Sequence, residues 1–403
     1  MNVLFLTIGR FHSINEHSIY PDLLREFKKN GHSVYIVCSS EKRLGENTSY
    51  IDDDGAHILR VKIGNITKTN LIEKGLSTIR IEGQYKSAIK RYLDDVNFDL
   101  VLYSTPPITL VGAIEYIKHK CNAKTYLLLK DIFPQNAVDI GMMSTSGIKG
   151  ILYRHFRKQE KRLYAISDKI GCMSQANVDY VINHNSELNS QKVEVCPNSI
   201  EVIDKSVDVN ARNLIRSKYG IPVDKKVFVY GGNLGKPQGI PFLIDCLKTC
   251  SEIDSVYFLI VGDGTEYRLL EEYANNTDQK NLKLMKKLPK EDYDTMVGAC
   301  DVGMIFLDHR FTIPNFPSRL LSYMQARLPV LACTDPNTDI GKVIVDGGFG
   351  WWCESNNNES FYRLIKEISK EDLKNYNLNS YRFLNNEYSS DRSFSIIMKL
   401  MEV

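Results

Sequence analysis

The residues 230–239, Tyr230-Gly231-Gly232-Asn233-Leu234-Gly235-Lys236-Pro237-Gln238-Gly239, place four glycines within nine positions. Glycine lets main-chain N–H groups come close to a ligand. The apolar run before this loop reads as a strand, and residues 240–250 after it read as a helix. Orphan N–H groups at a helix start, together with the helix dipole, favour a phosphate. Gly231, Gly232, Gly235 and Gly239 would supply the backbone, with Asn233, Lys236 and Gln238 as the polar side chains of the loop. A plain tight turn is the structural alternative. A second anion-seeking segment is Asn315-Phe316-Pro317-Ser318-Arg319-Leu320. Asn315 can cap a helix whose first turn holds Pro317. The N–H groups of Ser318 and Arg319 would then face an anion, and the guanidinium adds a permanent bidentate charge.

The first half of the chain carries groups of another kind. Lys130-Asp131 follows an apolar run, so Asp131 falls where it could orient a substrate, act as a base, or simply cap the next segment. Ser104-Thr105 and the loop Gly9-Arg10-Phe11-His12-Ser13 end two further runs. His12 and His17 are candidate acid–base groups or ordinary surface histidines. Gly262-Asp263-Gly264 lacks the rest of a dinucleotide fingerprint and reads as a structural turn. No metal site is indicated. Asp52-Asp53-Asp54 beside Gly55 reads as a solvated turn. Residues 146–169 form a basic, amphipathic helix, with Ile148, Ile151, Leu152, Phe156 and Leu163 on one stripe. Such a helix either lies on an anionic membrane or covers a core with a solvated face.

Elements must position these groups. The chain has 403 residues, which suits two α/β domains. Apolar runs are expected as strands at residues 2–7, 33–38, 58–62, 100–103, 125–129, 169–173 and 192–196. After a polar linker at 200–208 they resume at 226–230, 256–261, 282–285, 302–307 and 330–332. Helical segments such as 20–30 and 85–95 alternate with them, which implies doubly wound parallel sheets, with ligands at the carboxyl ends of the strands. The net charge of +2 gives no global argument for nucleic acid. No apolar stretch is long enough to span a bilayer and no signal peptide is read at the start, so a cytoplasmic location is expected. Nine cysteines, mostly in apolar segments and without a C-x-x-C pair, are expected to be reduced core thiols.

Residues 230–239, 259–264, 317–324 and 328–332, with Asp131-Ile132-Phe133-Pro134-Gln135 and Ile140-Gly141, resemble bacterial members of glycosyltransferase family 4. The likeness is to the subgroup that builds capsule and O-antigen units, including N-acetylfucosaminyl-type transferases. It implies a GT-B fold: α/β, two Rossmann-like doubly wound domains facing a central cleft, an acceptor domain at 1–199, a donor domain at 200–378, and a terminal helix at 379–403 packing back on the first. It implies a retaining transferase moving a sugar from a nucleoside-diphosphate sugar, favouring uridine, to a polyprenyl-diphosphate-linked saccharide, with no metal or other cofactor and with contact at the inner face of the membrane. Catalytic roles would fall on Asp131, Lys130, Arg319 and Lys236. Donor contacts would extend to Pro317, Ser318, Leu320 and Leu288, and acceptor contacts to Gly9, Arg10, His12, Ser104 and Thr105. This chain departs from the pattern in several places. Many relatives have arginine at Asn233 and lysine at Gln238, glutamates at Pro314 and Ser322, and histidine at Lys130. A GT-B-type sugar-nucleotide epimerase and a non-catalytic partner subunit are the alternative readings.

Overall fold

The computed structural model describes residues 1–67, 69 and 71–402. The chain forms two compact units, Met1–Glu201 with Ser389–Val403, and Val202–Tyr388. Among the described residues no helix is long and apolar enough to cross a membrane.

The first unit holds eight strands: β1 Asn2–Leu6, β2 Ser33–Glu41, β3 Ser49–Asp53, β4 Ala56–Ile63, β5 Leu100–Ser104, β6 Lys124–Leu129, β7 Lys169–Cys172 and β8 Val193–Val195. Their order is β3-β4-β2-β1-β5-β6-β7-β8. The β3–β4 pair is antiparallel, and each of the other neighbours pairs in parallel. β1 and β5 are buried on both faces, which is why they read in sequence as unbroken apolar runs. β3 escapes that reading because its residues 49–53 are polar or half-exposed.

The second unit has β9 Lys226–Asn233, β10 Val256–Asp263, β11 Leu282–Lys286, β12 Val302–Phe306, β13 Val330–Thr334 and β14 Gly350–Glu354. All are parallel, in the order β11-β10-β9-β12-β13-β14. Strand order reverses beside β1 in the first unit and beside β9 in the second. At such switch points the crossovers leave on opposite faces and open a crevice beyond the strand ends.

The unit boundaries differ from those expected at 199/200 and 378/379. The helix Lys374–Glu387 stays with the second unit, where Ser380 Oγ donates to the Leu328 carbonyl at 2.9 Å. Only the helix Ser390–Met398 returns to the first. Its Phe394 meets Phe27 edge to face at 4.8 Å, and Ile397 is fully buried. The helix expected at 85–95 starts earlier and runs Leu71–Tyr92, carrying Gly83 in its interior. All nine cysteines are free thiols, eight of them buried.

Candidate functional site

β9 continues past its apolar core into Gly231, Gly232 and Asn233. On one side its ladder with β10 persists to the pair Asn233–Asp263. On the other, its ladder with β12 covers only Phe228–Val302 and Val229–Gly303. The strands diverge beyond that point, and the Tyr323 hydroxyl fills the gap. It accepts from Gly231 N at 3.2 Å and lies 3.0 Å from the Met304 carbonyl and 3.3 Å from that of Val229. A hydroxyl has one proton to donate, so it serves one carbonyl at a time. Burial pushes the Tyr323 phenol up to about 12, so it stays neutral. Gly303 makes room for it, since a Cβ there would lie 2.4 Å from the Tyr323 ring.

The glycines of the loop are required by close packing. A Cβ on Gly231 would fall 1.8 Å from the Tyr293 hydroxyl, and Gly232 has φ +119°. A Cβ on Gly262 would sit 2.0 Å from the Gly232 carbonyl oxygen, and one on Gly264 2.3 Å from that of Leu234. Gly262-Asp263-Gly264 is therefore the bed on which the first loop lies. Two backbone bonds fasten it, Leu234 N to Asp263 O and Glu266 N to Leu234 O, both 2.9 Å.

Within the loop, Gln238 Oε1 accepts from Asn233 Nδ2 at 2.7 Å and from Gly235 N at 3.2 Å. Asn233 and Gln238 thus hold the loop's shape, with part of their polarity already used. Lys236 is exposed and opens the short turn Lys236–Gln238, which leads through left-handed Gly239 into the helix Ile240–Thr249. The Arg319 guanidinium stacks on the Tyr230 ring, 4.2 Å from its centroid. The same group stands in front of the loop, 3.7–4.0 Å from where a Cβ on Gly232 would be. Its Nη1 is buried and has no hydrogen-bond partner. A buried cationic donor without a partner is costly, and here it faces backbone that glycine has cleared.

The second segment is built differently from expectation. The helix is Arg319–Gln325, with Ser318 as its cap, so Asn315 does not cap it and Pro317 precedes its first turn. Asn315 instead uses its carbonyl to accept from the Thr338 hydroxyl at 2.6 Å. Leu320 is fully buried, so its side chain serves the core. Leu288 is half-buried, between β11 and the helix Lys290–Gly298. Arg319 and Tyr323 stand four residues apart and share a helix face. That spacing is the signal by which Tyr323 could have been found beforehand. Tyr293 offers no such signal.

In the first unit, β6 delivers Lys130 and Asp131 to the sheet's carboxyl edge. The Thr105 hydroxyl accepts from Lys130 N at 3.0 Å and Asp131 N at 3.4 Å, and lies 3.2 Å from the Asp131 carbonyl. Thr105 and Ser104 are both buried, and the Ser104 hydroxyl donates to that of Tyr20. Thr105 fixes the main chain between β5 and β6, and both residues expected as acceptor contacts are buried. Lys130 Nζ donates to the Cys196 carbonyl at 3.0 Å, and burial lowers its pKa. Asn136 Nδ2 donates to both Asp131 oxygens, at 2.8 and 2.7 Å. Burial nevertheless pushes the Asp131 carboxyl up to about 6, and the Glu160 charge adds to the rise.

Beyond β1, Gly9 and His12 are exposed. Arg10 is paired with Glu46 at 2.6 Å, and the His12 carbonyl accepts from Arg60 at 2.7 Å. His17 approaches Asp22 and Glu201 closely enough to suggest a cation site. The Arg25 guanidinium already binds both carboxylates, at 2.5 and 2.8 Å, so the cation there is an arginine. Asp52 and Asp53 end β3, Asp53 accepting from Ile14 N at 2.6 Å and Asp54 pairing with Lys28 at 2.7 Å.

The raised Asp131 value has a definite sign. A carboxyl with a folded pKa above its unfolded one binds more protons when folded, so its contribution to stability falls as pH rises from the ordinary carboxylate range to about 6. Asp131→Asn is expected to melt higher than the parent at pH 8 and equally at pH 4. If Asp131 is a base, kcat/KM of the parent rises through pH 6 and the variant loses that rise. Melting curves that respond to pH identically in the two proteins would remove the buried ionisation.

Residues 211–382 match the family model described as Glycosyl transferases group 1. The chain is 25% identical over 315 residues to "Probable glycosyltransferase WbjE" of Pseudomonas aeruginosa, covering 77% of this chain and 76% of that one. Its structure is similar to sucrose-phosphate synthase from Thermosynechococcus elongatus, with TM-score 0.76, 12% identity, and coverage of 100% and 98% of the two chains. It is also similar to HepE from Anabaena, solved in complex with UDP and glucose, with TM-score 0.67, 14% identity, and coverage of 100% and 99%. The fold is GT-B, and the chain is a glycosyltransferase.

Proposed function

We propose that the protein transfers a sugar from a UDP-linked donor to a polyprenyl-diphosphate-linked saccharide, with retention of configuration, in the synthesis of a surface polysaccharide such as a capsule or O-antigen. The observation that carries the donor half is the unpartnered Arg319 Nη1 facing the glycine loop. A diphosphate held there gives that nitrogen its acceptor. Exposed Lys236 adds a second cation to the same loop. As the bond to the sugar breaks, negative charge grows on the leaving diphosphate, and fixed donors stabilise it without a metal ion. The bound UDP of HepE supports uridine as the base.

The acceptor half belongs to the first unit. Asp131, ionised above about pH 6, orients an acceptor hydroxyl or takes its proton in this reading, which its raised pKa supports. The membrane is met through the helix Gly147–Ile166, which carries exposed Lys149, Ile151, Leu152, Arg154 and Lys158. The Ile148 side chain lies outside the described residues. The test is a thermal-shift screen of UDP, GDP, ADP and their sugar conjugates. UDP and one UDP-sugar are expected to raise the melting temperature, and slow hydrolysis of that sugar should follow. No response to any nucleotide would sink the donor assignment.

A further inference from the structure

Two cavities meet on the helix Gly147–Ile166, and neither is used by the donor chemistry. One is an open depression of about 490 Å³ lined by Arg154, Arg157, Lys158, Lys161 and Arg162, with Glu187 as its lining acid. The other is a more enclosed pocket of about 210 Å³ between this helix and the helix Gln175–Asn183. They share Tyr153 and Arg157.

The depression has cations to spare. Arg157 pairs with Glu160 at 2.6 Å, Lys161 with Glu187 at 2.7 Å, and Arg162 with Glu115 at 3.0 Å. Arg154 and Lys158 have no carboxylate partner among the described residues, and both are exposed. They share a helical face with Ile151, three and seven residues earlier. Ile151 is 61% exposed, its neighbour Leu152 48%, and Met142 nearby in sequence 62%. Large apolar side chains left in water beside unpaired cations match an amphiphile with an anionic link.

The pocket has a different character. Its wall carries Gln135, Tyr153, Glu160, Tyr180 and Asn185, with His184 at the rim. The Tyr180 and His184 rings stack at 3.9 Å. Glu160 accepts from Arg157 and from the Tyr164 hydroxyl at 2.7 Å, so the carboxylate is held in place. Arg157 also donates to the His184 carbonyl at 2.8 Å and to Asn185 Oδ1 at 2.7 Å, tying the two helices together. Aromatic rings with fixed amide and carboxylate groups suit the apolar faces and hydroxyls of a sugar. The volume is below the ~300–1,000 Å³ of sites for drug-sized ligands, which fits one sugar ring. Ile132 lines this pocket too, one residue from Asp131.

We propose that the two cavities form one composite site for the acceptor, with the diphosphate of a lipid-linked saccharide on Arg154 and Lys158, a sugar ring in the pocket beyond Tyr153 and Arg157, and the lipid along Ile151 and Leu152. This rests on the acceptor class proposed above and assigns it a place.

The test titrates the full chain by calorimetry with three probes: farnesyl-diphosphate-linked N-acetylglucosamine, farnesyl diphosphate and inorganic pyrophosphate. The sugar-bearing probe is expected to bind at least tenfold tighter than farnesyl diphosphate, and pyrophosphate weakest. Arg154→Glu with Lys158→Glu should weaken both prenyl probes at least tenfold. Tyr180→Phe should weaken only the sugar-bearing probe, about threefold. Unchanged affinity in the double variant overturns the site, as does a sugar-bearing probe that binds no better than farnesyl diphosphate. A double variant that loses binding to phosphatidylglycerol vesicles but keeps the prenyl probes also overturns it, because the helix is then only an anchor. UDP thermal stabilisation should be equal in parent and double variant. A parent that ignores UDP yet binds the prenyl probes as stated sinks the donor reading and leaves this site standing.

Discussion

Arg319→Ala lowers kcat/KM for the donor by about 10²–10³-fold, the usual cost of losing one fixed donor to developing charge. The guanidinium is already held before substrate arrives, stacked on Tyr230 and set against Gly232. Its unpartnered Nη1 means that the folded protein carries a cost which a bound phosphate relieves. The alanine variant should therefore fold at least as stably as the parent while losing most of the UDP-induced rise in melting temperature. Arg319→Lys restores the charge without the planar fork, so only part of the activity should return. Steady-state kinetics with thermal shifts on the same preparations decide it. Parental kinetics in the alanine variant would take Arg319 out of the site.

Gly262→Ala should be among the most damaging single methyl groups in the second unit. The added carbon would lie 2.0 Å from the Gly232 carbonyl oxygen. Backbone cannot step aside as a long side chain can, so β10 and the glycine loop must separate. Overpacking of this kind costs about 1–3 kcal/mol, and each kcal/mol lowers Tm by roughly 2–4 °C in a domain of this size. Donor binding should fall further than stability, because the displaced atoms are the loop itself. Gly83→Ala is the matched control. Gly83 lies inside a helix with nothing within 4 Å of the new carbon, and the change should stabilise by about 0.8–1.0 kcal/mol. Equal melting temperatures and equal UDP shifts in parent and Gly262→Ala would refute the packing argument.

The sheets were legible because parallel strands buried on both faces are continuous apolar runs, as in Val3-Leu4-Phe5-Leu6. β3 was hidden because its residues, Ser49-Tyr50-Ile51-Asp52-Asp53, sit at an edge with neither face fully buried. β14 was hidden because Gly350-Trp351-Trp352-Cys353-Glu354 has no β-branched residue and begins with glycine. The glycine loop was visible, but its bed was not. Gly262 and Gly264 looked like any strand-to-helix turn, and only the register that sets Gly262 opposite Gly232 shows what they accommodate. The burial of Ser104 and Thr105 was hidden for a related reason. Sequence places them at a strand end, where ligands bind, but cannot say that both are buried and that the Thr105 hydroxyl holds the main chain of Lys130 and Asp131. On the basic helix, Ile151 and Leu152 fit a core stripe by spacing, and the structure leaves them in water.

The return of the helix Ser390–Met398 to the first unit changes the order in which the protein can be made. Val202–Tyr388 is an uninterrupted stretch inserted into a unit that begins at Met1 and resumes at Ser389. The bridge between Ile200 and Ser389 closes that insertion. On the ribosome, the inserted unit has all its residues before its host does. The host must wait with the faces of Phe27 and Leu24 uncovered until Phe394 and Ile397 emerge. Domains usually mature from the N-terminus during synthesis. Here the unit begun first is the one completed last.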